Sequence, residues 1–225
     1  MNKGIRLLLS GAACAAVSLT TFAAAKSLAN SDPASAPVVR ELSWPGGESL
    51  TVQVPARVRF VQTPGPGKVV VTGPNRSVKD FAIDGGVLSD KRWRTGKPVD
   101  VVVYAPKITH FSLKGADHLV LEGFDQPELT IEATGRAEVK ASGRADRVTL
   151  QLQGFGWADL SALSAAEADV TVSGGRHAIV AARERARVSG NGSVVFIGKP
   201  ADLQLALGDS GRVFTLGDAL ASSAH

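Results

Sequence analysis

Residues 149–160, Thr149-Leu150-Gln151-Leu152-Gln153-Gly154-Phe155-Gly156-Trp157-Ala158-Asp159-Leu160, run an alternating strand into a glycine corner and out into a second alternating strand. A strand turns every second side chain to the same face. Leu150 and Leu152 before the corner, and Ala158 and Leu160 after it, therefore point inward together. The unit recurs about every 20 residues from Ile108 to Gly217, the mark of a stacked repeat architecture. With Gly115, Gly135, Gly154, Gly174 and Gly190 aligned, the inward pairs before the corner are Phe111/Leu113, Ile131/Ala133, Leu150/Leu152, Val170/Val172 and Ala186/Val188. After it they are Leu119/Leu121, Val139/Ala141, Ala158/Leu160, Ala178/Val180 and Val194/Phe196. A sixth unit follows around Gly208 and Gly211. The pattern predicts an all-β chain, a right-handed β-helix of stacked rungs.

Upstream, strands read at Leu50–Val54, Val58–Phe60, Val69–Val71, Phe81–Ile83 and Val99–Tyr104, with turns at Pro64-Gly65-Pro66-Gly67, Gly73-Pro74-Asn75, Gly85-Gly86 and Gly96-Lys97-Pro98. Their spacing is less regular. They are expected to form opening rungs or an N-terminal β cap, which a stack needs because a bare terminal rung is an exposed strand edge. Leu160 to Ala168 reads as a corner.

Met1 to Ala25 carries Lys3 and Arg6, an apolar run to Phe22 and Ala23-Ala24-Ala25, the layout of a cleavable secretory signal. Polar interruptions at Ser10, Ser18, Thr20 and Thr21 disfavour a membrane anchor. Residues 26–40 read as a disordered leader, 41–217 as the β domain and 218–225 as a tail. Cys14 is the one cysteine and lies within the signal, so no disulfide is expected in the exported chain. Gly11 stands where a lipoprotein signal places a large aliphatic residue, which disfavours lipid attachment at Cys14. Without Lys3 and Arg6 the formal charge of +4 falls to +2, no footprint for nucleic acid.

Ser173-Gly174-Gly175, Ser189-Gly190-Asn191-Gly192-Ser193-Val194 and Gly208-Asp209-Ser210-Gly211, with Val99 to Pro106 leading into Ile108, resemble the repeats of the putative auto-transporter adhesin, head GIN domain family. The likeness covers about Leu50 to Gly217. It implies a β-helix in a secreted or envelope protein with an adhesin role. The family repeat often reads Gly-Ser-Gly-Asp-Val; this chain departs at the Asp place, where it has His118, Glu138, Trp157, His177 and Ser193, so an acidic calcium-lined corner is not carried over.

Gly208-Asp209-Ser210-Gly211 also matches a serine-protease nucleophile motif, but the same residues fill a repeated glycine corner. His118 and His177 share an outward column three rungs apart, about 14 Å at strand spacing, too far for one zinc ion. No metal or cofactor is expected. Asp117, Asp125, Asp146, Asp159 and Asp169 fall at different places in the rung, which argues against an acid/base groove, and Lys140 is expected to pair with Asp159. Exposed aromatics are the better lead. Phe155 and Trp157 beside two glycines, and Trp93 between Arg92 and Arg94, suit sugar rings and acidic groups. Arg183, Arg185 and Arg187 alternate along one side, where Arg176 and Arg147 could join them to hold an acidic polysaccharide. Val120, Ile179, Val195 and Phe214 form an outward apolar column, expected to be covered by the chain's own N-terminal strands. These residues predict a non-catalytic envelope or secreted binding module for an acidic glycan. The alternatives are an assembly component pairing with an envelope protein through an apolar face, and a glycan-active enzyme.

Overall fold

In the computed structural model, which describes residues 37–90, 99–115 and 117–216, all the inward pairs named above from Phe111 to Phe196 are buried. The elements in chain order are β1 (Pro37–Ser43), β2 (Ser49–Val52), β3 (Ala56–Gln62), β4 (Lys68–Pro74), α1 (Asn75–Val78), β5 (Phe81–Asp84), β6 (Val87–Asp90), β7 (Val99–Ala105), β8 (His110–Gly115), β9 (His118–Asp125), β10 (Glu128–Ser173), β11 (His177–Gly190), β12 (Ser193–Phe196), β13 (Asp202–Leu207) and β14 (Arg212–Thr215). The expected signal peptide with Cys14, Arg92, Trp93, Arg94 and the tail lie outside the described residues. Among the described residues, no helix is long and apolar enough to cross a membrane.

All fourteen strands join one sheet, nearly closed around a single apolar core. Pairing through the repeat region is parallel, between residues about 20 apart: His110 with Thr130, His118 with Glu138, Trp157 with His177, and Ser193 with Arg212. β10 passes through several corners without leaving the sheet, and glycine makes that possible. Gly156 has φ 146°, and a Cβ there would lie 2.0 Å from the carbonyl oxygen of Ala137. Residues 160–168, expected as a corner, are extended, with Leu163 and Ala165 buried.

One register differs from the repeat alignment. Gly190 lies opposite Val172, and Val188 opposite Val170, so the strand before this corner sits two residues from its expected place. A shift of two preserves the inward and outward faces. Burial is therefore unchanged although the partners are not.

The N-terminal strands enter the sheet out of sequence order. β2 lies between β6 and β8, and β3 between β7 and β9, all parallel. The chain thus lays down β2 and β3, places β6 and β7 on one side of them, and returns to place β8 and β9 on the other. Antiparallel strands finish this end: β4 and β1 beyond β7, and β5 beyond β6. β2, β3, β6 and β7 thus add parallel strands at this end, and β1, β4 and β5 add antiparallel ones.

The expected cover for the apolar outward column is absent among the described residues. The N-terminal strands pair edge to edge and extend the column, placing Arg59 and Val102 in line with Val120. Phe214, at its far end, is 53% exposed.

Candidate functional site

Edge-to-edge stacking produces two adjacent outward columns. One holds Asp100, Arg57, His118 and Glu138 in register; the other holds Val102, Arg59, Val120 and Lys140. Between them runs a groove of about 380 Å³ lined by these residues. Val102 and Val120 give it an apolar floor, and its walls are ion pairs between neighbouring strands. Arg57 binds Asp100 through two bonds of 2.6 and 2.9 Å, and this contact raises the guanidinium pKa. Arg59 pairs with Glu122, and Nδ1 of His118 lies 3.0 Å from Oε2 of Glu138. Such cross-strand contacts fix side-chain positions.

The face continues past Gly156, which lies against Ala137, to Trp157. The Lys140 ammonium sits 5.3 Å from the indole centroid, and the His177 ring stacks parallel to the indole at 6.3 Å. Lys140 precedes Trp157 within β10, and His177 stands opposite Trp157 on β11, so the indole is held by a cation and a stacked ring. Phe155, at the corner between Gly154 and Gly156, is 68% exposed and offers its ring. Asp159 differs from its expected pairing. It accepts from Ser161 Oγ at 2.6 Å and Ser161 N at 3.0 Å; these bonds lower its pKa most, with Lys140 contributing least.

The arginine segment is built differently from a bare basic strip. Arg185 lies 2.9 Å from Glu167 and 3.6 Å from Asp202, and Glu167 also takes Arg147. Arg187 donates to Gln204 at 3.1 Å and lies 3.8 Å from Asp169, on a second groove of about 420 Å³. Arg183 is exposed. Arg176, expected near this strip, turns into the interior instead. Its guanidinium donates to the carbonyl oxygens of Gln153 and Gly135, and burial lowers its pKa. Ser210 Oγ donates to the Asn191 carbonyl at 3.0 Å, as a corner residue. Among the described residues no cluster of His, Asp and Glu could hold a metal ion.

Arg57, Arg59, Asp100 and Lys140 were not singled out by sequence as a site. The alternation Arg57-Val58-Arg59-Phe60 marks both arginines as outward, but their neighbours come from β7 and β9, far along the chain.

The model of the family described as putative auto-transporter adhesin, head GIN domain matches residues 48–200. The chain belongs to the head GIN family. This span takes in the groove, Phe155, Trp157 and the arginine segment. Solved structures resembling the head GIN chain include a putative adhesin from Bacteroides fragilis NCTC 9343, with TM-score 0.63 and 18% identity over 80% of this chain and 97% of that one. A putative adhesin from Parabacteroides merdae ATCC 43184 has TM-score 0.50 and 13% identity over 80% and 96%. At these identities the likeness concerns fold. No curated protein matches the chain.

Proposed function

We propose that this head GIN protein is an exported, non-catalytic binding or adhesion module, wound as a right-handed β-helix, that takes an acidic glycan on the face running from the Arg57/Arg59 groove to Phe155. The winding is supported by parallel pairing at a repeat of about 20 residues, with β2 and β3 as a layer inserted out of order. Export agrees with the signal-like N-terminus and the adhesin family.

The observation that carries the binding reading is the groove itself. An apolar floor of Val102 and Val120 between charged walls suits a sugar ring, whose carbon face needs apolar contact and whose hydroxyls need polar partners. Lys140 lies over an indole rather than in a direct ion pair among the described residues, and so remains to meet a sugar carboxylate. Arg185 and Arg187 already have acidic or amide partners, which makes the arginine segment the weaker candidate. A glycan-active enzyme is favoured less, because Asp100 and Glu122 are each paired with an arginine and Glu138 lies against the His118 ring. A glycan array probed with the full chain tests the proposal. Uronate- or sialate-bearing glycans should be retained and lost with Lys140→Ala; an array without a hit, or hits unaffected by that change, would refute it.

A further inference from the structure

The two ends of the sheet are finished differently. At the N-terminal end both faces close on antiparallel strands. β1 carries Arg40, which donates to the carbonyls of Val78, Lys79 and Phe81, and Glu41, which lies 3.8 Å from Lys68. Charges and antiparallel cover are how proteins blunt a strand edge. At the other end β13 is hydrogen-bonded to β11 along one edge and, among the described residues, to no strand along the other.

The inward residues of β13 are leucines. Leu203 stands opposite Ala186, Leu205 opposite Val188 and Leu207 opposite Gly190. Their register continues the core column, yet Leu205 is 51% exposed, whereas Val188 beneath it is buried. Among the described residues the core therefore ends on an open apolar layer beside a strand edge with no partner.

The leucines of β13 are evenly spaced about Leu205, and this favours one occupant. Laid antiparallel on a second copy of itself, β13 sets Leu205 against Leu205, Leu203 against Leu207, and Gln204 against Ala206. On the inward face leucine meets leucine at each position, and no like charges are opposed. The two Asp202 side chains would fall at opposite ends of the paired strands, about 20 Å apart at strand rise and beyond the screening length of physiological salt. Each is already held by Arg185 and Gln204.

We propose that β13 is a homodimer interface, in which two copies join head to head about a two-fold axis through Leu205 and the core runs continuously from one into the other. A self-complementary patch of this kind closes on itself and does not propagate into filaments. The two binding faces would then lie on one particle, so that a polymeric ligand engages both and gains avidity.

Sedimentation velocity of the full chain over a concentration series tests this. Wild type should sediment as a dimer. Leu205→Lys, which puts two like charges face to face, should weaken dimerisation roughly tenfold or more. In a Cys14→Ser background, Leu205→Cys should cross-link to itself under a mild oxidant, because directly opposed antiparallel positions lie about 4.5–5.5 Å apart at Cα, within disulfide reach. This near-isosteric variant keeps the test valid if Leu205→Lys fails to fold. A wild type monomeric at every concentration, or a dimer that neither loses affinity with Lys nor cross-links with Cys, overturns the proposal. Monomeric wild type that dimerises on deletion of residues 217–225 overturns it too, by assigning the open layer to that segment.

Discussion

The backbone N–H of Ala56 donates to Oδ1 of Asp117 at 3.3 Å, across 61 residues of chain. The bond ties the start of β3 to the entry of β9, where the out-of-order N-terminal layer meets the repeat region. Asp117 is fully buried, and its Oδ2 has no hydrogen-bond partner among the described residues. Desolvation pushes its carboxyl pKa up to about 7, against the smaller opposing effect of the Ala56 bond. With the unfolded value near 4, the native state binds the extra proton between about pH 4 and 7. Stability from this group is complete below that window and is lost as pH rises through it. The melting temperature should fall from about pH 5 to pH 8, and Asp117→Asn should flatten the fall. Melts across that range check it; an unchanged slope in the variant would assign the pH dependence elsewhere.

Arg176 is the one arginine among the described residues whose side chain lies in the interior, 2% exposed. It bridges the carbonyls of Gln153 and Gly135, two successive corners. Arg176→Ala leaves both acceptors unpaired and opens a cavity, so it should cost about 3 kcal/mol or more in urea unfolding. Arg176→Lys should recover little, because one ammonium does not reproduce the planar fork.

Gly156 and Gly175 form a matched pair for the corner geometry. Gly156→Ala would combine φ 146° with a Cβ 2.0 Å from a backbone oxygen, whereas a Cβ at Gly175 meets nothing within 4 Å. Gly156→Ala should lower stability by about 2–4 kcal/mol, and Gly175→Ala by well under 1 kcal/mol. Equal effects in thermal melts would mean that the backbone at Gly156 does not approach Ala137 so closely at this corner.

Alternation made the core legible, because a strand's inward residues follow from parity alone. Partners were legible only where the repeat is regular. The two-residue displacement that sets Gly190 against Val172 keeps parity and leaves no trace in the hydrophobic pattern. Ser49 and His110 pair across a long excursion of chain, and no local signal announces that contact. The groove was missed for this reason: Arg57 and Arg59 come from one side of the excursion, His118 and Val120 from the other. Trp157 and Phe155 were legible as outward aromatics. The contacts of Trp157 with Lys140 and His177 are a matter of register. Arg176 followed neither parity nor charge pattern, because at a corner a long side chain can turn inward to unpaired carbonyls.

The proposed binding face is tested most directly by isothermal titration of an acidic glycan selected on the array, using three forms of the full chain. Val120→Trp fills the groove floor at a half-exposed outward position; Arg183→Ser/Arg185→Ser/Arg187→Ser removes the arginine segment. Affinity should fall at least about tenfold, roughly 1.4 kcal/mol, in the groove variant and stay near wild type in the triple variant, with melting temperatures little changed. Undiminished binding by Val120→Trp, with loss in the triple variant, would contradict the groove as the site and assign the ligand to the arginine segment.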